Sequence, residues 1–184
     1  MAAMTKQTHD TPGIDTVLRA LFWGAVALLL LAPAVAMRFT AEVNWTAGDF
    51  VFATVLLGAA GTAFEVTMRM SRSWTYRFAS GFAVAAAFLI VFVNAAVGMI
   101  GDGPNIHNLL FLAVVGMALV GSIAARFRAA GMGLVMAAAG IVHIAIALAG
   151  LPVDRIGGIY SALFGCIWLL SAFLFRKAAA DAGR

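Results

Sequence analysis

The chain has 184 residues, 64% of them apolar and 11% charged, and a mean hydropathy of +1.01. A soluble domain carries about a quarter charged residues, so this chain has too little polar surface to cover itself in water. That composition excludes a soluble enzyme, a disordered tail and a nucleic-acid-binding domain, and the net charge of +4 comes from cations too few and dispersed for a phosphate-tracking face. An integral membrane protein remains, with the lipid bilayer as its direct partner and no nucleic-acid partner.

In chain order, residues 1–17 form a polar N-terminal tail holding Lys6, His9, Asp10 and Asp15. Apolar runs follow at 18–37, 48–69, 77–101, 108–126, 129–150 and 157–176, and residues 177–184 form a short C-terminal tail. Each run has about the length needed to cross ~30 Å of hydrocarbon as a helix. None alternates apolar with polar residues as a membrane barrel strand must. The prediction is an all-α, polytopic bundle of six transmembrane helices over 18–176. The first run ends in Ala32-Pro33-Ala34-Val35-Ala36, which also suits a signal-peptide cleavage site. Its long, acid-containing lead and its continuation to Met37 favour a retained helix. Thr46-Ala47-Gly48-Asp49 has capping-box spacing, and Asn108 is placed to cap the fourth helix. Cys166, in the middle of an apolar run, reads as a packing residue.

Cations fix an expected orientation. With the N-terminus in the cytoplasm, Lys6, Arg19, Arg69, Arg72, Arg77, Arg126, Arg128, Arg176, Lys177 and Arg184 lie inside. Only Arg38 and Arg155 then lie outside, where the acids Glu42, Asp49, Asp102 and Asp154 gather. Both termini are therefore expected in the cytoplasm. The third and fifth runs also align at an offset of 49, with Arg77-Phe78 on Arg126-Phe127 and Asn94 on His143. That pattern suits a repeated helical hairpin in parallel orientation.

Polar groups in hydrocarbon are expensive and call for an explanation. Glu65, Asn94 and His143 are the three here. Helical spacing puts Gly58, Gly61 and Thr62 on the face of Glu65. It puts Ala139, Gly140, Ala147 and Gly150 with His143, and Gly98 and Gly101 with Asn94. Small-residue faces are where membrane helices approach closely, so all three groups are expected to point inward. The bland reading makes Glu65 an ion-pair partner of Arg69 or Arg72, and Asn94 and His143 interhelical hydrogen-bonding groups. The sharper reading joins Asn94 and His143 to the loop Gly101-Asp102-Gly103-Pro104-Asn105-Ile106-His107-Asn108 as a ligand- or ion-binding layer. Asp102, His107 and His143, with Glu42 or Asp49, would then be candidate metal ligands. Bis-histidine haem fits less well, since only His143 lies within the membrane. No cofactor is required by any recognised spacing.

Glu42-Val43-Asn44-Trp45-Thr46-Ala47-Gly48-Asp49-Phe50 and Asn94-Ala95-Ala96-Val97-Gly98-Met99-Ile100-Gly101, with the loop to Asn108, resemble motifs of a family of small polytopic inner-membrane proteins of proteobacteria. The resemblance implies a multi-pass protein of the bacterial inner membrane. That family has no assigned activity, so no functional residue carries over. The sequence best fits a non-catalytic accessory or structural membrane component, whose Gly/Ala faces suit a homo-oligomer or a larger complex. A small permease or ion pathway through Glu65, Asn94 and His143 is the alternative. A metal- or haem-dependent membrane enzyme using His107 and His143 is the third reading.

Overall fold

A computed structural model describes residues 14–101, 103 and 105–183, and these fold into six helices: α1 (Ile14–Ala36), α2 (Ala47–Met70), α3 (Trp74–Ala96), α4 (Ile106–Ala124), α5 (Ala129–Gly150) and α6 (Arg155–Ala182). All six are long and apolar enough to cross a membrane. No strand occurs among the described residues. The chain divides into two compact units, one ending at Leu57 and one starting at Gly58.

In the first unit, α1 buries none of its residues, and Pro33 lies within it. The start of α2 is fixed by the expected capping box. Asp49 Oδ2 accepts from the Thr46 backbone N–H at 2.7 Å, and Thr46 Oγ1 accepts from the Asp49 N–H at 3.3 Å. Two helix-end donors are satisfied reciprocally in this way.

The second unit is built on α3–α6, which alternate in direction. α6 packs against both α3 and α5, while α4 closes the ring against α5 and α3. Along α5 the buried positions are Met132, Gly133, Met136, Ala139, Gly140, His143, Ala147 and Gly150, a three-and-four spacing that forms one stripe. Small residues on that stripe let α6 come close. A Cβ on Gly140 would stand 3.2 Å from the Gly165 carbonyl oxygen of α6. Such close backbone approach is how helices associate in lipid, where apolar burial gives no driving force. Opposite the stripe, Leu134 is 72% and Ile141 64% exposed. These side chains would be a liability in water, but in a bilayer they meet acyl chains.

Several boundaries differ from those read in the sequence: α1 starts at Ile14, inside the expected polar tail, and α3 at Trp74 rather than 77. α3 stops at Ala96 instead of reaching 101, because Gly98 adopts a left-handed φ of +81° and turns the chain out of the helix. Gly98 and Gly101 are therefore loop residues and share no helical face with Asn94. α4 is capped by Asn105, whose side chain accepts from the Asn108 N–H, so Asn108 lies inside the helix. α6 runs on to Ala182, taking Lys177 and most of the expected C-terminal tail into the helix. Cys166 is exposed rather than packed, because the buried stripe of α6 runs through Ser161, Gly165, Trp168 and Ala172 and leaves it on the other side.

Candidate functional site

One end of the α3–α6 bundle holds a polar clasp, and its centre is Asn108. This residue is 3% exposed, and its side chain turns back from the first turn of α4 into the α3–α4 connection. Its Oδ1 accepts from the backbone N–H groups of Met99 at 2.9 Å and Ile100 at 3.0 Å. Its Nδ2 donates to the Gly103 carbonyl at 3.0 Å. The chain has just left α3 and has no ladder of its own there, so one amide supplies the partners that the buried backbone requires. Asn94, in the last turn of α3, donates from Nδ2 to the Asn108 carbonyl at 2.7 Å. Asn105 Nδ2 donates to the Ile100 carbonyl at 2.7 Å.

α6 holds the same connection from its other side. Asp154, the residue that caps α6, accepts from Gly157 N–H at 2.8 Å through Oδ1 and from Gly101 N–H at 3.0 Å through Oδ2. These donors, Gly157 first and then Gly101, hold its carboxyl below the usual aspartate range. Ser161 Oγ donates to the Met99 carbonyl at 3.0 Å. His143 on α5 is fully buried, and its Nε2 lies 3.0 Å from the Ser161 carbonyl. A carbonyl only accepts, so Nε2 carries a proton, and in the neutral ring Nδ1 is the acceptor. Nδ1 has no hydrogen-bond partner among the described residues. The ring packs against Phe111 of α4, with centroids 4.6 Å apart. Asn94 and His143, on different helices, are thus joined through Asn108, Met99 and Ser161.

The other expected site residues fall elsewhere. Glu65 sits near the opposite end of the unit, its Oε2 4.0 Å from Arg69 Nε one turn on. This is the spacing of a helical ion pair. His107 is half-buried in the first turn of α4 and forms none of the clasp bonds. Asp102 lies outside the described residues. Glu42 and Asp49 belong to the other unit, where Asp49 is engaged in the α2 capping box. Among the described residues no three His, Cys, Asp or Glu side chains gather where a metal could bind.

Sequence reasoning included the loop that holds Asn105 and Asn108 but took Asn108 for a helix cap, and it missed Asp154 and Ser161 as members of the clasp. Asp154 could have been found, since it stands three residues before Gly157 at a helix start, which is N-cap spacing. Ser161 carries no such signal, being one small hydroxyl in an apolar run. Beside the clasp, a cleft of about 440 Å³ lies between the end of α3 and the start of α6. Val93, Val97, Leu163, Phe164 and Ile167 make it apolar, and neither Asn94 nor His143 lines it.

No family profile, curated protein or solved structure matches the chain. Its six apolar helices make it a multi-pass integral membrane protein.

Proposed function

We propose that this chain is a non-catalytic accessory or structural component of a bacterial inner membrane, with both termini in the cytoplasm. The supporting observation is where the polar groups of its helices are spent. Asn94 and Asn108 donate to or accept from backbone groups, His143 Nε2 meets a carbonyl, and Glu65 faces Arg69. The bonds of Asn94, Asn108 and His143 fasten elements together and the Glu65 pair stays within α2, so these groups leave no free row of side chains for a cargo among the described residues. The proposed orientation rests on charge. Arg69, Arg72, Arg77, Arg126, Arg128, Arg176 and Lys177 belong to one end of the second unit, and Arg155 stands beside Asp154 at the other. Cations accumulate on the cytoplasmic side of membrane proteins. Exposed apolar faces leave room for a second copy or a larger membrane complex as partner.

A second reading, an ion or proton pathway, is favoured by the unpartnered Nδ1 of the buried His143. Flux measurements on the full-length protein in proteoliposomes separate the two. The accessory reading predicts proton and monovalent-cation flux equal to that of protein-free vesicles. Flux above that level that disappears in His143→Ala would overturn it in favour of the pathway.

A further inference from the structure

At the end of the bundle away from the clasp, α4 closes with hydrogen bonds from Arg126 N–H to the Ile123 carbonyl at 2.9 Å and from Phe127 N–H to the Ser122 carbonyl at 3.0 Å. This arrangement needs a left-handed residue just past the helix, and glycine is its usual occupant. Here Arg126 takes that position at φ +50°, and Phe127 follows at +55°. Glycine would hold the same turn without steric cost. Residues kept in such a conformation point to a role that the side chains serve.

The turn sends Phe127 against the core and leaves Arg126 and Arg128 exposed on either side of it. Tyr76 of α3 fixes the turn by donating its hydroxyl to the Phe127 carbonyl at 2.7 Å. The Tyr76 ring also stands edge-on to Phe175 of α6, with centroids 5.1 Å apart. Directly after Phe175 come Arg176 and Lys177, both exposed. Tyr76 thus touches both the turn that carries Arg126 and Arg128 and the helix that carries Arg176 and Lys177, at the same end of the second unit. The Arg176 stem lies along α5, where a Cβ on Gly133 would stand 2.9 Å from its Cγ.

We propose that Arg126, Arg128, Arg176 and Lys177 form a binding site for the phosphate headgroups of anionic lipids. The proposal rests on the membrane-spanning reading. α6 has 28 residues, about 42 Å of helix against ~30 Å of hydrocarbon, so its last turns stand in the headgroup layer. Three residues before Arg126 and Arg176, Ile123 and Phe173 are exposed apolar side chains against which acyl chains would lie. Guanidinium groups match phosphate oxygens in charge and in geometry. Of the neighbouring charges, two arginines are already engaged, and one carboxylate stands at ion-pair spacing from Lys177. Arg77 donates to the Ser71 and Met68 carbonyls, Arg69 faces Glu65, and Asp181 lies one turn beyond Lys177.

Native mass spectrometry of the full-length protein, with equal amounts of phosphatidylglycerol and phosphatidylcholine in the detergent, tests the site. Wild type should retain phosphatidylglycerol in preference. The pair Arg126→Gln with Arg128→Gln should lower that preference by about fivefold per cation removed, and so should Arg176→Gln with Lys177→Gln. Arg155→Gln, at the opposite end, should leave it unchanged. Arg126→Gly keeps the test sound if other variants fold poorly, since glycine suits the turn; it should melt no earlier than wild type yet retain less phosphatidylglycerol. Equal retention of the two lipids by wild type, or an undiminished preference in the variants, would overturn the proposal. So would equal stabilisation by inorganic phosphate without lipid. Release of both lipids alike would instead overturn the membrane-spanning reading beneath it.

Discussion

Asn108 and Asp154 grip the α3–α4 connection from two sides, each offering oxygens to backbone N–H groups that have left a helix. For Asp154 this has a consequence in pH. Its carboxyl is held below the ordinary aspartate value of 3.8 by the Gly157 and Gly101 N–H groups. A carboxyl depressed on folding contributes stability that is present above the unfolded value and lost as pH falls through the folded one. Wild type should therefore lose thermal stability as pH drops below about 3.8, and Asp154→Asn should start less stable at neutral pH and lack that part of the fall. Superimposable melting profiles across pH would contradict this. At this scale Asn94 and His143 were legible in the sequence, because a polar group in an apolar run is conspicuous. Ser161 was not, because its partner is a backbone group of a connection whose path depends on the whole bundle. Glu65 was equally conspicuous, but it belongs with Arg69 and not with the clasp.

Among the elements, α3 departs most from what hydropathy suggests. The stretch from Ala95 to Ile100 is apolar enough to continue the helix, but hydropathy measures compatibility with lipid and not backbone conformation. The left-handed Gly98 ends α3 and starts the connection that Asn108 holds. Two glycines there separate conformation from space. Gly101, at φ +61°, has no atom closer than 3.9 Å to a built Cβ, whereas at Gly98 a Cβ would stand 2.5 Å from the Gly101 carbonyl oxygen and 2.9 Å from Asn108 Nδ2. Gly101→Ala should cost about 1 kcal/mol for the left-handed backbone alone. Gly98→Ala should cost about 3 kcal/mol, because displacement of the clasp adds to that strain. Equilibrium unfolding in detergent measures both, and equal costs would contradict the account. α5 was far more legible: the small-residue stripe around His143, read from spacing alone, is the face that α6 covers.

Across the whole molecule, composition and cation placement were enough to foresee six apolar helices and the charge difference between the ends of the second unit. How that unit is tied together was not legible, because bonds such as Ser161 to Met99 link residues 62 positions apart through a main-chain carbonyl. At one end of the unit the clasp joins α3, α4, α5 and α6, and at the other Tyr76 joins α3 to Phe127 and Phe175. The central claim is that the clasp is a cooperative structural fastener. Met99 offers its direct test, because Asn108 holds its N–H and Ser161 holds its carbonyl. A double-mutant cycle of Asn108→Ala and Ser161→Ala, read by equilibrium unfolding in detergent, measures how far the two bonds depend on each other. The account predicts that Asn108→Ala alone costs about 3 kcal/mol, since two buried N–H groups lose their acceptor, and that the pair couples by about 1 kcal/mol. Strictly additive losses, or an Asn108→Ala variant as stable as wild type, would contradict it.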